Sequence, residues 1–252
     1  MSLLTVVTVS VRPDKIRPYE ELVHSLAEKA KSGHEDFEWA ARQEISGNLH
    51  TMHFVSQAED WATLASRESL AVFACRVLGD ARGRQFLDGV NECVISRISA
   101  VARQRLDLSQ PPSAGAEHTA ISMVSMLQVR PGGEDAGEEL IRKVAQAIPL
   151  VKDPRRFIAY QAFTGNPRLY WTVSPLQDLG DLDRMLSPQE LLQNAFGAEG
   201  AMIYRTGFEA IERIERRLTI LRPELSHTSW LGKVATRRPL QRTEAPRPEA
   251  RH

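Results

Sequence analysis

The chain has 252 residues, of which 42% are hydrophobic, and its 32 Lys and Arg are balanced by 32 Asp and Glu. A formal charge of zero excludes a global field that would steer nucleic acid or an anionic membrane, and there is no run of about 18 apolar residues to span a bilayer. The two cysteines, Cys75 and Cys93, have neither CxxC nor metal-type spacing, so a cytoplasmic, reducing location is expected.

The opening MSLLTVVTVSV lacks the basic leader of a signal peptide and reads instead as a strand, β-branched from Leu3 to Val11 and stopped at Arg12-Pro13. From Lys15 to Lys31 the period changes. Tyr19, Leu22, Val23, Leu26, Ala27 and Ala30 recur at three- and four-residue spacing, an amphipathic helix with Glu20 and Glu21 near its positive end. Ser32-Gly33-His34 breaks it. Phe37 to Ile45 and Leu49 to Val55 read as strands across Ser46-Gly47-Asn48, where glycine supplies a positive φ without steric cost. Asp60 to Leu64 and Ser69 to Leu78 are helical, the latter ending at Gly79. Gly89 to Leu106 stays open: Val94, Ile98 and Val101 fit a helix, whereas a compact sheet needs a closing strand there.

The stretch Arg42 to Val55, RQEISGNLHTMHFV, then occurs again as Tyr160 to Val173, YQAFTGNPRLYWTV. The same ungapped shift of 118 carries Val11-Arg12-Pro13 onto Val129-Arg130-Pro131 and Glu20-Glu21-Leu22 onto Glu138-Glu139-Leu140. This is a tandem duplication in which each copy needs its neighbour to finish burying its apolar face. Residues 1–109 form the first half. The Pro-, Gly- and Ser-rich 110–118 are the joint, and 119–226 form the second half. The second half carries a strand from Ala120 to Val129, a helix from Glu134 to Ile148, strands from Arg156 to Phe163 and Leu169 to Val173, and a helix from Pro188 to Phe196. Its last segment, Phe208 to Leu221, poses the same helix-or-strand question. Residues 227–252 accumulate Pro and Arg without apolar period, the composition of a disordered tail. Each half thus orders as β-α-β-β-α-β. The predicted fold is α+β: two ferredoxin-like halves packed sheet to sheet as a pseudo-twofold barrel.

With Val11-Arg12-Pro13, Glu20-Glu21-Leu22, the hairpin through Phe54-Val55 to Asp60-Trp61, and their second-copy counterparts, the chain resembles the dimeric α+β barrel superfamily. It is nearest to the antibiotic-biosynthesis-monooxygenase type, duplicated in one chain. The resemblance implies a small-molecule pocket between the sheet and the helices of one unit. It also implies a cofactor-independent monooxygenase or related tailoring enzyme, or else a non-catalytic ligand-binding or assembly protein of the same fold; whether the chain is an enzyme stays open. Haem-binding relatives generally need a proximal histidine, which in tandem-copy relatives comes from the second half. Between Thr119 and Ser226 there is no histidine, so no haem is expected, with His24 on the first helix a formal candidate only.

His50 and His53 are three apart on a strand and point to opposite faces, so they do not chelate one ion, and no metal or other cofactor is expected. Trp39, Ala41, Gln43 and Ile45 share one face, matched by Phe157, Ala159, Gln161 and Phe163. A glutamine within an apolar stripe, twice, must be hydrogen-bonded. Either the two amides bond to each other or to backbone across the pseudo-twofold axis, or they orient a ligand. Arg42 and Glu44 take the other face, where the second copy has Tyr160 and Ala162, so at most one pocket keeps polar work. Tyr160, Tyr170 and Trp171 concentrate aromatics on the second hairpin, as core or as a wall for a flat ligand. The candidate pocket set is therefore Trp39, Gln43, His50, His53, Tyr160, Gln161, Tyr170 and Trp171, for a small aromatic or apolar molecule. Nucleophile elbows, phosphate loops and HExxH are absent from the sequence. Homo-oligomerisation stays open. The tail is either a solvated extension or a peptide in which Trp230-Leu231 and the arginines dock an acidic protein surface.

Overall fold

The structure is a computed structural model and describes residues 2–110 and 119–228. The first half runs β1 (Leu3–Val11), α1 (Ile16–Gly33), β2 (Ala40–Glu44), β3 (Thr51–Ala58), α2 (Trp61–Ala65), α3 (Leu70–Leu78), α4 (Asp80–Cys93) and β4 (Val94–Gln104). The second runs β5 (Ile121–Val129), α5 (Glu134–Val151), β6 (Ile158–Ala162), β7 (Leu169–Leu176), α6 (Asp181–Arg184), α7 (Pro188–Glu209) and β8 (Ile211–Leu221). The ambiguous segments each split in two: helix continues to Cys93 and to Glu209, and a closing strand follows. Local chemistry sets the boundaries. Tyr19, Val23, Leu26, Ala27 and Ala30 form the buried stripe of α1, which stops where His34 turns left-handed (φ 55°) and its N–H meets Ala30 O and Lys31 O. Ser69 and Ser187 cap α3 and α7 by accepting from Val72 N and Glu190 N.

Each half orders its strands 4-1-3-2, the ferredoxin-like arrangement, and the two sheets join edge to edge through β2–β8 and β4–β6 into one closed eight-stranded barrel. No sheet edge is left open, which removes the strand-pairing liability of an isolated half. The helices lie outside, so each strand has one face on the helices and one on the barrel lumen. The hairpin turns match as the repeat requires, with Gly47 at φ 88° and Gly165 at φ 83°.

The shift of 118 holds through the hairpins but not to the end of the copies. Val6 lies opposite Val55 and Ala100, whereas Val124 lies opposite Val173 and Arg217, so the last strand matches at 117. The change falls between the positive-φ pair Gly79 and Gly197 and the pair Gly83 and Gly200. At Gly83 and Gly200 a side chain would strike the backbone of Cys75 and of Leu192. One residue lost at this helix–helix corner is absorbed in α7, where Gly197 makes the kink.

Two reciprocal latches lock the halves together. Arg105, beyond β4, has Nη1 donating to Glu138 Oε1 (2.7 Å) and to Gln161 Oε1 (2.8 Å) of the second half. Arg222, beyond β8, makes the same pair of bonds to Glu20 (2.8 Å) and to Gln43 of the first half. Ser109 and Ser226 follow, each accepting from the other half's backbone at Ala159 N and Ala41 N. Leu108 and Leu225 are wholly buried. The two glutamines do not bond to each other; each holds the turn of its own hairpin, Leu49 O or Pro167 O at 3.0 Å, and receives the arginine from across the axis. His227, which the sequence places at the start of the tail, is buried and paired with Trp39 through N–H bonds of 2.7 and 2.9 Å. The expectations for Trp230 and the rest of the tail concern residues outside those described.

Glu138 is held below its ordinary carboxyl value of 4.5 chiefly by its bond to Arg105. A depressed acid contributes stability that is present above its unfolded pKa and lost as pH falls through the folded one. Arg105→Met or Arg222→Met should each cost about 2 kcal/mol at neutral pH, a fall of about 4–8 °C in thermal midpoint. The gap between Arg105→Met and wild type should narrow as pH drops below 4.5. Melting curves at pH 7 and pH 4 check this; a neutral-pH difference below about 1 °C would remove the latches from the account.

Candidate functional site

The two halves differ most in what fills the space between sheet and helices. In the first half an aromatic cluster fills it. Phe37, Trp39 and Phe73 have ring centroids 5.6–5.9 Å apart, and Tyr19 meets Phe54 at 6.5 Å. The residues at matching positions in the second half are Arg155, Phe157, Leu191, Gly137 and Thr172. Four of the five positions are no longer aromatic, the fifth has shrunk from Trp to Phe, and Val7 has become Ser125. The result is a cavity of about 470 Å³ over the second sheet.

Its walls are mostly apolar, from Leu140, Ile141 and Val144 of α5 and from Tyr204 and Phe208 of α7. Its floor carries a polar row. Ser125 on β5 lies directly opposite Thr172 on β7 and Arg216 on β8, so the three residues line up across three adjacent strands facing the helices. Among the described residues none of their side chains has a hydrogen-bond or ion-pair partner, although Ser125 and Thr172 are buried. Ser174, one step along β7, is a third buried hydroxyl in the same condition. Their oxygens keep accessible surface, and hydroxyls clustered at an apolar cavity wall match the polar atoms of a bound molecule.

The roof is fixed by a buried ion pair. Arg155 Nε donates to Asp153 Oδ1 (2.7 Å) and Nη2 to Asp153 Oδ2 (2.9 Å), and Nη2 also reaches Leu186 O. Leu186 N returns to Asp153 Oδ2 at 3.0 Å. Burial alone would raise the Asp153 carboxyl, but these bonds outweigh it and hold the group below the usual range. The pair therefore clamps the loop before α7 over the cavity. The carboxylate among the lining residues, Glu190, is occupied in the cap of α7, where bonds from Ser187 lower its pKa.

The sequence-predicted residues fall in three places. Trp39, His53, Tyr160 and Trp171 line a separate chamber inside the barrel, also of about 470 Å³. There His53 Nε2 lies 3.0 Å from Glu44 Oε1 and Nδ1 lies 3.0 Å from Thr8 Oγ1. Burial would raise Glu44, but His53 and Arg217 (2.7 Å) keep it ionised below the usual range. Gln43, Gln161 and Tyr170 belong to the latches; Tyr170 Oη donates to Glu138 at 2.7 Å, and burial followed by that carboxylate raises its pKa. His50 lies at the hairpin turn and lines neither space. Gln43, Gln161, Tyr170 and His50 thus share no cavity with the other four. Ser125, Thr172 and Arg216, which the reading missed, show in the sequence only as a loss of large apolar residues against Val7 and Phe54. Among the described residues no three His, Cys, Asp or Glu side chains converge on one point, and no helix is long and apolar enough to cross a membrane.

Neither any protein-family model nor any curated protein sequence matches this chain. Solved structures do match over nearly its whole length. An anthrone oxidase-like protein superposes with a TM-score of 0.56 at 12% identity, over 88% of this chain and 91% of its own. A candidate monooxygenase from Fusobacterium nucleatum gives 0.55 at 12% identity, over 87% and 92%. Another from Lactobacillus acidophilus gives 0.54 at 5% identity, over 90% and 96%. The chain therefore shares the fold of these structures, a closed α+β barrel of two ferredoxin-like copies in one polypeptide.

If the second half is hollow because its fillers were lost, restoring one should be tolerated. Thr172→Phe, the residue at the matching Phe54, should keep the thermal midpoint or raise it, whereas Phe54→Thr should lose about 2 kcal/mol. Parallel melts of the two variants read this; a Thr172→Phe protein that unfolds several degrees early would show that the space is not free.

Proposed function

We propose that the second-half cavity binds a small, largely apolar molecule through an oxygen placed on the Arg216–Ser125–Thr172 row, and oxidises it as a cofactor-independent monooxygenase. The observation that carries this is the row itself: an exposed guanidinium and two hydroxyls without protein partners on the sheet side of an apolar cavity. An oxygenase without a flavin or metal must draw electrons from its substrate, so it must stabilise the substrate's enolate or phenolate. A cation with adjacent hydroxyl donors does that. In the net reaction a CH2 group and O2 become a C=O group and water, and the apolar walls admit both dioxygen and an aromatic body. The likeness to candidate monooxygenases and an anthrone oxidase-like protein supports this reading.

A second reading has its own observation. Glu190, the carboxylate in the lining, is tied into a helix cap and held acidic, so it is a poor acceptor for a substrate proton. A protein that binds and releases its ligand unchanged fits that arrangement. Calorimetry and an oxygen electrode, with a hydroxylated anthrone as probe, separate the two. The monooxygenase reading expects oxygen uptake that falls about tenfold or more in kcat/KM with Arg216→Ala, the loss of a charged hydrogen bond. Binding without uptake selects the non-catalytic reading. An affinity and uptake unchanged by Arg216→Ala would remove the row from either.

A further inference from the structure

The chamber inside the barrel is independent of the cavity just described. An eight-stranded barrel is just wide enough to be filled by side chains or to hold one small ligand. Here Val6, Val55, Val124, Ile158 and Val173 line the lumen and are only partly buried, leaving about 470 Å³ open. A dry core would have closed over these residues.

The charges around the chamber are out of balance. Arg217 is compensated, by Glu44 at 2.7 Å and Glu215 at 2.8 Å. Arg42 is not. Its donors reach only neutral acceptors, Thr219 Oγ1 and Ser122 Oγ at 3.0 Å and Ala120 O at 3.1 Å, with longer contacts to Thr119 O and Thr219 O. It makes no ion pair among the described residues. Burial lowers it to about 10, so it remains charged at neutral pH, and an uncompensated charge within a protein is costly. Among the described residues Arg67, on the same lining, likewise bonds only to Ser56 Oγ and Gln57 O, with its guanidinium over the Phe37 ring. The opposite copy places aromatics where the first places Arg42 and His53: Tyr160 and Trp171. Trp171 Nε1 is buried without a hydrogen-bond partner. Asp36 and Glu38, on the loop before β2, line the chamber as well and disfavour a multiply charged guest.

We infer that the barrel lumen is a second binding site that takes a small aromatic carboxylate, its single negative charge at Arg42 and its ring against Tyr160 and Trp171. The carboxylate supplies the counter-charge that Arg42 lacks, and the Tyr160 and Trp171 side of the lining offers its ring an aromatic wall. A phosphate ester, with its higher charge, would meet Asp36 and Glu38.

The test is calorimetric titration of the full chain with 2-naphthoate and with uncharged 2-naphthamide. It is run on wild type and on Thr172→Phe, whose second-half cavity is narrowed at its polar row. Naphthoate should bind both proteins, and naphthamide about tenfold or more weakly, the worth of a charge-assisted hydrogen bond. Arg42→Gln should abolish the preference for the anion, and Arg42→Lys should restore part of it. Should Arg42→Gln fail to fold, Trp171→Phe carries the test, with an expected loss of about fivefold. Equal affinity for the two probes, no naphthoate binding at millimolar concentration, or an unchanged affinity in Trp171→Phe would overturn the proposal. Loss of binding in Thr172→Phe with retention in Arg42→Gln would do the same. Arg216→Ala should leave naphthoate binding to the lumen intact, so failure here and failure of the monooxygenase reading are distinguishable.

Discussion

Everything in this structure depends on barrel closure, and closure depends on each half's last residues binding the other half. The edge pairings β2–β8 and β4–β6 are short, only a few residues long, and alone would be weak seams. Arg105 and Arg222 reinforce them from beyond the strand ends, joining Glu138 with Gln161 and Glu20 with Gln43. Leu108 and Leu225 follow the arginines into the opposite core. A half on its own would lack its closing leucine and two strand partners, so the folding unit is the fused pair.

That interdependence explains what the second copy is free to change. The arginine, glutamate, glutamine, serine and leucine of the latch are the same in both copies, because each serves a seam related to the other by the pseudo-twofold axis. The sheet–helix interfaces serve no seam and have diverged. One is packed with Phe37, Trp39, Phe54 and Phe73; the other holds Arg155, Thr172 and Ser125 and is hollow. Two identical subunits assembling this barrel could not do this, since a substitution in one would appear in both. Fusion allows a filled half to supply stability while an emptied half supplies a cavity, whose cost the large aromatic core offsets. The lumen shows the same asymmetry, with Arg42 and His53 facing Tyr160 and Trp171 across it.

Much of the fold was legible from period and repetition. The hairpin glycines and the β-α-β-β-α-β order follow from local chemistry that acts within a few residues, and the duplication counted each signal twice. The slip from 118 to 117 at the last strand was not legible, because a lost residue in α7 leaves the helical pattern intact and only strand pairing exposes it. The candidate site was harder. Alternation along a strand says which residues share a face, and it placed Arg42 with Glu44 correctly. It does not say which strands adjoin. Arg216, Ser125 and Thr172 come from segments far apart in sequence and become one row only through the registers of β5 with β7 and β8. Gln43 and Gln161 were recognisable as buried amides needing partners, but the arginines that satisfy them lie 179 and 56 residues away.

The central claim is that the space between sheet and helices is open to a ligand in the second half because its counterpart in the first is full. Methionine methyl groups report on it directly: Met123 and Met185 line the second-half cavity, Met126 lines the lumen, and Met52 sits in the filled first-half core at 1% exposure. In methyl NMR of methionine-labelled protein titrated with a hydroxylated anthrone, Met123 and Met185 should shift together while Met52 stays fixed. A titration that moves Met52 and leaves Met123 and Met185 in place would contradict the account.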